Sequence, residues 1–159
     1  MDNGRFVQSV HPLSVAIGGA ALGDIFNGNP ASDVIKMSLH DRVTFLITKG
    51  AGATGTATVT VESCDDTTPT TATAIPFKYW ASTSGDALGD MKTAAATGFA
   101  TTAGANQLYA VEVSAAELSG TDKYVRLQLT EVVNDPCGGA VCAILSGCRY
   151  DDDKAISAV

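Results

Sequence analysis

The sequence predicts an all-β domain, an antiparallel β-sandwich or barrel of jelly-roll-like kind, with an extended N-terminal arm. Three observations predict it. Apolar and polar residues alternate strictly in several short runs, the period of half-buried strands. Clusters of Gly, Asn, Asp and Pro separate those runs at fairly regular intervals. Strand patterns do not alternate with helical ones, which argues against a doubly wound sheet. The 159 residues suffice for one domain with a genuine core. They divide into an arm (1–35), a β-sandwich (36–150) with a long loop at 81–106, and a tail (151–159).

The arm mixes apolar residues with Gly, Asn and Pro and keeps no period. Phe6, Val7, Leu13 and Val15 are its candidate intersubunit or surface contacts, because apolar groups of this number gain from leaving water. "NGNPAS", Asn27 to Ser32, is a turn signal. "DVIKMSL" reads as a first strand. In "RVTFLITK", Val43, Phe45 and Ile47 alternate with Arg42, Thr44, Leu46 and Thr48; in "TATVTVES", Ala57, Val59 and Val61 alternate with Thr and Glu. Two such runs around the Gly-rich "GAGATG" read as a β-hairpin, with the glycines supplying positive φ.

Those glycines also spell G-x-G-x-x-G, the outline of a dinucleotide-binding turn. That site requires a helix after the glycines, whose N-terminus holds the pyrophosphate. A Thr/Val strand follows instead, and no acidic residue stands about 20 positions on. No cofactor is expected.

"CDDTTPTTATA" reads as a polar loop and "IPFKYW" as a short aromatic strand. Residues 81–106 are small and polar, with room for one helical turn at Ala87–Met91. "QLYAVEVS" returns to strand. "SAAELSG" carries a capping box, Ser114 with Glu117, closed by Gly120. "KYVRLQLTEVV" turns Val125, Leu127 and Leu129 to one face, and "AVCAILSGC" is a last buried strand. "RYDDDKAISAV" is a charged tail.

Composition narrows the function classes. The net charge of −7 argues against a nucleic-acid partner, which needs clustered Lys and Arg. Charged residues are only 17% of the chain, which suits a surface partly covered by partners. The longest apolar stretch, "LSVAIGGAALGDIF", is broken by glycines and an Asp, so neither a membrane span nor a signal peptide is expected, and synthesis is assigned to a cytosol.

The reactive residue types do not assemble into a known site. His40 and Asp41 invite a hydrolase reading, but neighbours in a strand point to opposite faces. His11 lies before a proline in the arm. Cys137, Cys142 and Cys148 have spacings outside zinc patterns, and Cys64 reads as a lone loop residue; buried thiols are the default. The acidic runs at Asp65 and Asp151 lack calcium-loop spacing, so no metal is expected. Glu62, Glu112, Glu117 and Glu131 show no glycosidase pairing. Trp80, beside Tyr79 and Phe77, reads as a core anchor ahead of a sugar platform. The residues argue against an enzyme.

Three segments in order, "DRVTFLITKGAGATGTATVTVESCDD", "YAVEVSAAELSGTDKYVRLQLTEV" and "GGAVCAILSGCRY", carry a resemblance over residues 34–150. The chain resembles small β-rich virion proteins of tailed bacteriophages. The resemblance implies a capsid decoration, or cement, protein. Such a protein is made in the bacterial cytoplasm, binds the major capsid protein on the outside of the head and bridges capsomers, often as a trimer, with no catalytic residues. The 81–106 insertion and the cysteine-rich end depart from the pattern. A tail-tube or head–tail component and a receptor- or carbohydrate-binding β module are the alternatives; the last requires Trp80 and Tyr79 at the surface.

Overall fold

β-Branched and aromatic residues at every second position favour a pleated strand that buries one face, and the chain uses that rule in two layers. The computed structural model describes residues 10–12, 24–50, 54–84 and 86–148. The strands are β1 (Val10–Pro12), β2 (Ile35–Lys36), β3 (His40–Lys49), β4 (Thr56–Cys64), β5 (Ala72–Ile75), β6 (Phe77–Ser82), β7 (Lys92–Ala94), β8 (Phe99–Ala100), β9 (Gln107–Ser114), β10 (Tyr124–Val133) and β11 (Gly139–Cys148). The first sheet has the order β1-β11-β3-β9-β6-β7; the second has β2-β10-β4-β5, with β8 paired to β4. The two antiparallel sheets pack as a β-sandwich.

Val43, Phe45, Ile47, Val111, Val113, Ala143 and Leu145 from the first sheet share one core with Val59, Val61, Val125, Leu127 and Leu129 from the second. Full burial of the Val, Leu, Ile and Phe side chains among these contributes about 1.5–3 kcal/mol each. The inward faces of β3, β4 and β10 are those the alternation predicts.

The hairpin expected for β3 and β4 does not form. β3 pairs with β11 and β9, and β4 with β10 and β5, so the Gly-rich segment is a crossover between sheets. Gly50 and Gly55 are not among the positive-φ residues, so the expected reason for them also fails. Close approach explains them instead. The β10–β11 connection crosses at the same end, since Lys49 pairs with Gly139 and Thr56 with Val133. A Cβ at Gly55 would overlap the Asp135 carbonyl oxygen, and one at Gly50 would press on that of Gly138 at 3.2 Å.

Several boundaries also move. "DVIKMSL" yields only the two-residue β2. The end of the polar loop at 64–74 pairs with β4 as β5, which makes Ala72–Ile75 an exposed edge strand. The stretch 81–106 contributes β7 and β8, and Ala87–Met91 forms no helical turn. The capping box forms as predicted: Glu117 accepts from the Ser114 amide at 2.8 Å ahead of a 3-10 turn over Ala115–Glu117, and Gly120 has φ +54.

Residues 24–34 are built into the body. Ile25 and Phe26 enter the core, and the Ile25 amide donates to the Cys137 carbonyl at 2.9 Å. Ser32 exchanges bonds with Leu127: its amide donates to the Leu127 carbonyl, and its hydroxyl accepts from the Leu127 amide. Phe6, Val7, Leu13 and Val15 lie outside the described residues, as does the tail.

Candidate functional site

Two regions carry unusual side chains: the end where both crossovers meet, and the outward face of the first sheet.

At the crossover end β3 finishes with a lysine at an inward position. Lys49 is 2% exposed. Its Nζ donates to the carbonyls of Gly55 at 2.9 Å and Thr102 at 2.7 Å, and lies 5.9 Å from the centre of the Phe26 ring. Burial lowers its pKa below 10.5, opposed by the charge a Cys137 thiolate would carry. Cys137 is buried beside it, and burial pushes its thiol upward against the pull of Lys49. Asp135 closes the arrangement by accepting from the Thr54 amide at 3.0 Å and hydroxyl at 2.5 Å, bonds that hold its carboxyl below the usual range. Nearby, the Tyr109 hydroxyl donates to Gln107 Oε1 at 2.8 Å and accepts from the Thr102 amide at 2.9 Å. Every polar atom named here is taken up by protein. The chemistry is that of a lock: a buried ammonium ties three chain segments together.

The first sheet's outward face is different. Three rows cross it. Register aligns Ala140, Thr48, Leu108 and Ser82; then Cys142, Leu46, Ala110 and Trp80; then Ile144, Thr44, Glu112 and Lys78. Leu46, Leu108, Cys142, Ile144 and Trp80 are half-buried in the single chain. The charged side chains, Glu112, Lys78 and the neighbouring Arg42, gather at one end, where Arg42 pairs with Glu112 at 3.6 Å. On the second sheet, Thr58, Thr60 and Glu62 stand opposite Thr130, Gln128 and Arg126, with an Arg126–Glu62 bond of 2.6 Å.

Trp80 therefore does not anchor the core. It stands on the outward face, while Phe77 and Tyr79 turn inward. Tyr79 stacks on Phe99 at 3.9 Å, and Phe99 meets Tyr109 at 5.6 Å, closing the sandwich between β6 and β8. Among the three aromatics of residues 77–80, the alternation of β6 puts Phe77 and Tyr79 on one face and Trp80 on the other, and the packing of the sheets makes the first face the core.

The other sequence candidates are dispersed. His40 is buried and Asp41 exposed, on opposite faces of β3. Asp65 accepts from Thr70 and Thr71, and Asp66 from Thr67, which makes that run a self-bonded turn. Cys64 ends β4 as a buried thiol, raised to about 11 chiefly by burial, and is not a loop residue. Cys142 stands apart on the outward face. Glu62 and Glu112 hold arginines, and Glu117 caps a turn. Among the described residues, no three His, Cys, Asp or Glu side chains converge as metal ligands.

Sequence reasoning did not single out Lys49 or the outward apolar face. The signal for the face was present: Leu46, Leu108 and Ile144 occupy the polar positions of their alternating runs. The signal for Lys49 was weaker, since a strand-end lysine is ordinarily solvated.

No family model, no curated protein and no solved structure matches this chain.

Proposed function

We propose that this chain is a structural virion protein that binds the outer surface of a tailed-phage capsid and stabilises it by bridging capsomers. One observation carries the reading. A chain with 17% charged residues presents Leu46, Leu108, Ile144 and Trp80 together on an outward sheet face. Contiguous apolar surface of this kind marks protein–protein contact. The segments that carry the resemblance to phage decoration proteins supply β3, β4, β9, β10 and β11, the frame that presents the face. The two crossovers in contact at one end, held by the Lys49 bonds, suit a structural role, because they tie both sheets together there. Avidity suits such a role, since weak contacts repeated over a symmetric shell add up without any single strong site.

The test is copy number. In gradient-purified particles, this chain is expected in hundreds of copies, in fixed ratio to the major capsid protein. A few dozen copies would assign it to a tail or head–tail structure. Absence from particles would end the proposal.

A further inference from the structure

We propose that Asn27 is a spontaneous modification site: its side-chain amide is lost through a succinimide formed with the Gly28 nitrogen, leaving aspartate and isoaspartate on the surface of the folded chain. This does not depend on the capsid role.

Three observations single out this asparagine. The first is access. Gly28 has no side chain to shield its nitrogen, both residues are exposed, and nothing lies within 4 Å of the place a Gly28 Cβ would take. The second is freedom of the reacting groups. Among the described residues, none bonds the Asn27 side chain or the Gly28 amide. The third is the backbone. Gly28 has φ +78, and the Asn29 amide donates to the Phe26 carbonyl at 3.3 Å, so residues 26–29 form a type II turn closed by one long bond. Ring closure rotates the Asn27 backbone until the Gly28 nitrogen meets the side-chain carbon, and that long bond is what resists it.

The other described asparagines are protected. Pro30 gives Asn29 no N–H to react with. The Asp135 amide that follows Asn134 donates to the Val133 carbonyl at 3.0 Å. Gln107, which follows Asn106, is buried.

The steps balance without an oxidant or a cofactor. The Gly28 nitrogen bonds to Asn27 Cγ, the Cγ–Nδ2 bond breaks, and ammonia leaves with the proton the Gly28 amide gives up. Solvent water then opens the ring. Opening at Cγ gives aspartate; opening at the main-chain carbonyl leaves the chain running through Cγ, as isoaspartate.

The turn also anchors residues 24–34 on the second sheet. Asn29 Oδ1 accepts from the Glu131 amide at 2.8 Å, the Asn29 carbonyl accepts from Gln128 Nε2 at 2.8 Å, and the Pro30 carbonyl accepts from the Leu129 amide at 2.9 Å. Isoaspartate adds a backbone atom between these bonds and Phe26, which the core holds. Modification therefore loosens the segment from β10.

Ageing of the full-length chain at neutral and at mildly alkaline pH, followed by peptide mapping in a mass spectrometer, tests this. The expected result is the mass gain of amide-to-acid conversion at Asn27, with an isoaspartyl share, faster at the higher pH. It should run at least about tenfold faster than at Asn106 or Asn134, where a held amide must first open locally. Ion exchange should show one negative charge added to the −7 of the parent. Asn27→Gln should abolish both changes, because the longer side chain closes its ring far more slowly; far-UV circular dichroism checks that this variant folds. Hydrogen exchange at the Leu129 and Glu131 amides should be faster in the aged parent than in the aged variant. An Asn27 that stays intact, or amide loss confined to other asparagines, overturns the proposal. Unchanged exchange in the modified chain overturns the loosening of the segment from β10. Particle copy number is measured independently, so failure here leaves the capsid reading standing.

Discussion

On the second sheet Glu62 meets Arg126 and Thr60 meets Gln128, whereas on the first Leu46 stands between Cys142 and Ala110 with Trp80 beyond. Both faces look away from the same core. Across its middle the second carries short hydroxyls, an amide and an ion pair, and its exposed apolar side chains, Val132 and Val133, lie only at the end of β10. The first carries apolar groups on both sides of β3, β9 and β11, a pattern found where both sides of a sheet are covered. Alternation shows which side faces the core. It does not reveal whether the other side faces solvent or a partner.

The largest expected effect removes the frame on which both faces depend. Gly55→Val should cost about 3 kcal/mol in urea unfolding, because its Cβ would drive the two crossovers apart at the Asp135 carbonyl. A loss under about 0.5 kcal/mol would mean that the crossovers are not interlocked.

Lys49→Met comes next, at about 1–3 kcal/mol, since it leaves the Gly55 and Thr102 carbonyls without their donor. Its pH dependence has a definite sign. The folded lysine releases its proton below 10.5, the unfolded one at about that value. Between the two the unfolded chain binds more protons, so this group makes stability rise with pH. The variant should lose that rise. Equal slopes in parent and variant would show Lys49 to be solvated.

A smaller effect distinguishes the two faces directly. Glu62→Gln should cost about 1 kcal/mol by weakening a short, partly shielded pair, and the loss should shrink at high salt. At the equivalent place on the other sheet, Leu46→Thr should change monomer stability by no more than about 0.5 kcal/mol, measured by thermal unfolding at low concentration. If Leu46→Thr proves as costly as a core truncation, the first sheet's outward side is a second core within the single chain, and the contrast between the faces disappears.

Much of the frame was legible in order. The strand over Tyr124–Val133 follows from the alternation of Val125, Leu127 and Leu129 with polar residues, and the turn at Ser114 from the reach of a Glu side chain back to its cap. These are local effects, decided within a few residues. β5, β7 and β8 escaped because they are only four, three and two residues long, too short for an alternation to show; they are strands because they pair with the edges of β4 and β6.

The sequence by itself determined the class of fold, the inward apolar residues of β3, β4 and β10, and the cap, because period, side-chain volume and capping geometry act over short range. Only the tertiary structure decided that β3 and β4 belong to different sheets, since a Gly-rich link permits either a hairpin or a crossover and long-range pairing with β11 and β10 selects one. It also decided the use of Lys49, which is buried because two carbonyls from residues 55 and 102 converge on it. The outward face took its character in the same way: Leu46, Leu108, Ile144 and Trp80 are scattered along the chain, and register alone makes them neighbours.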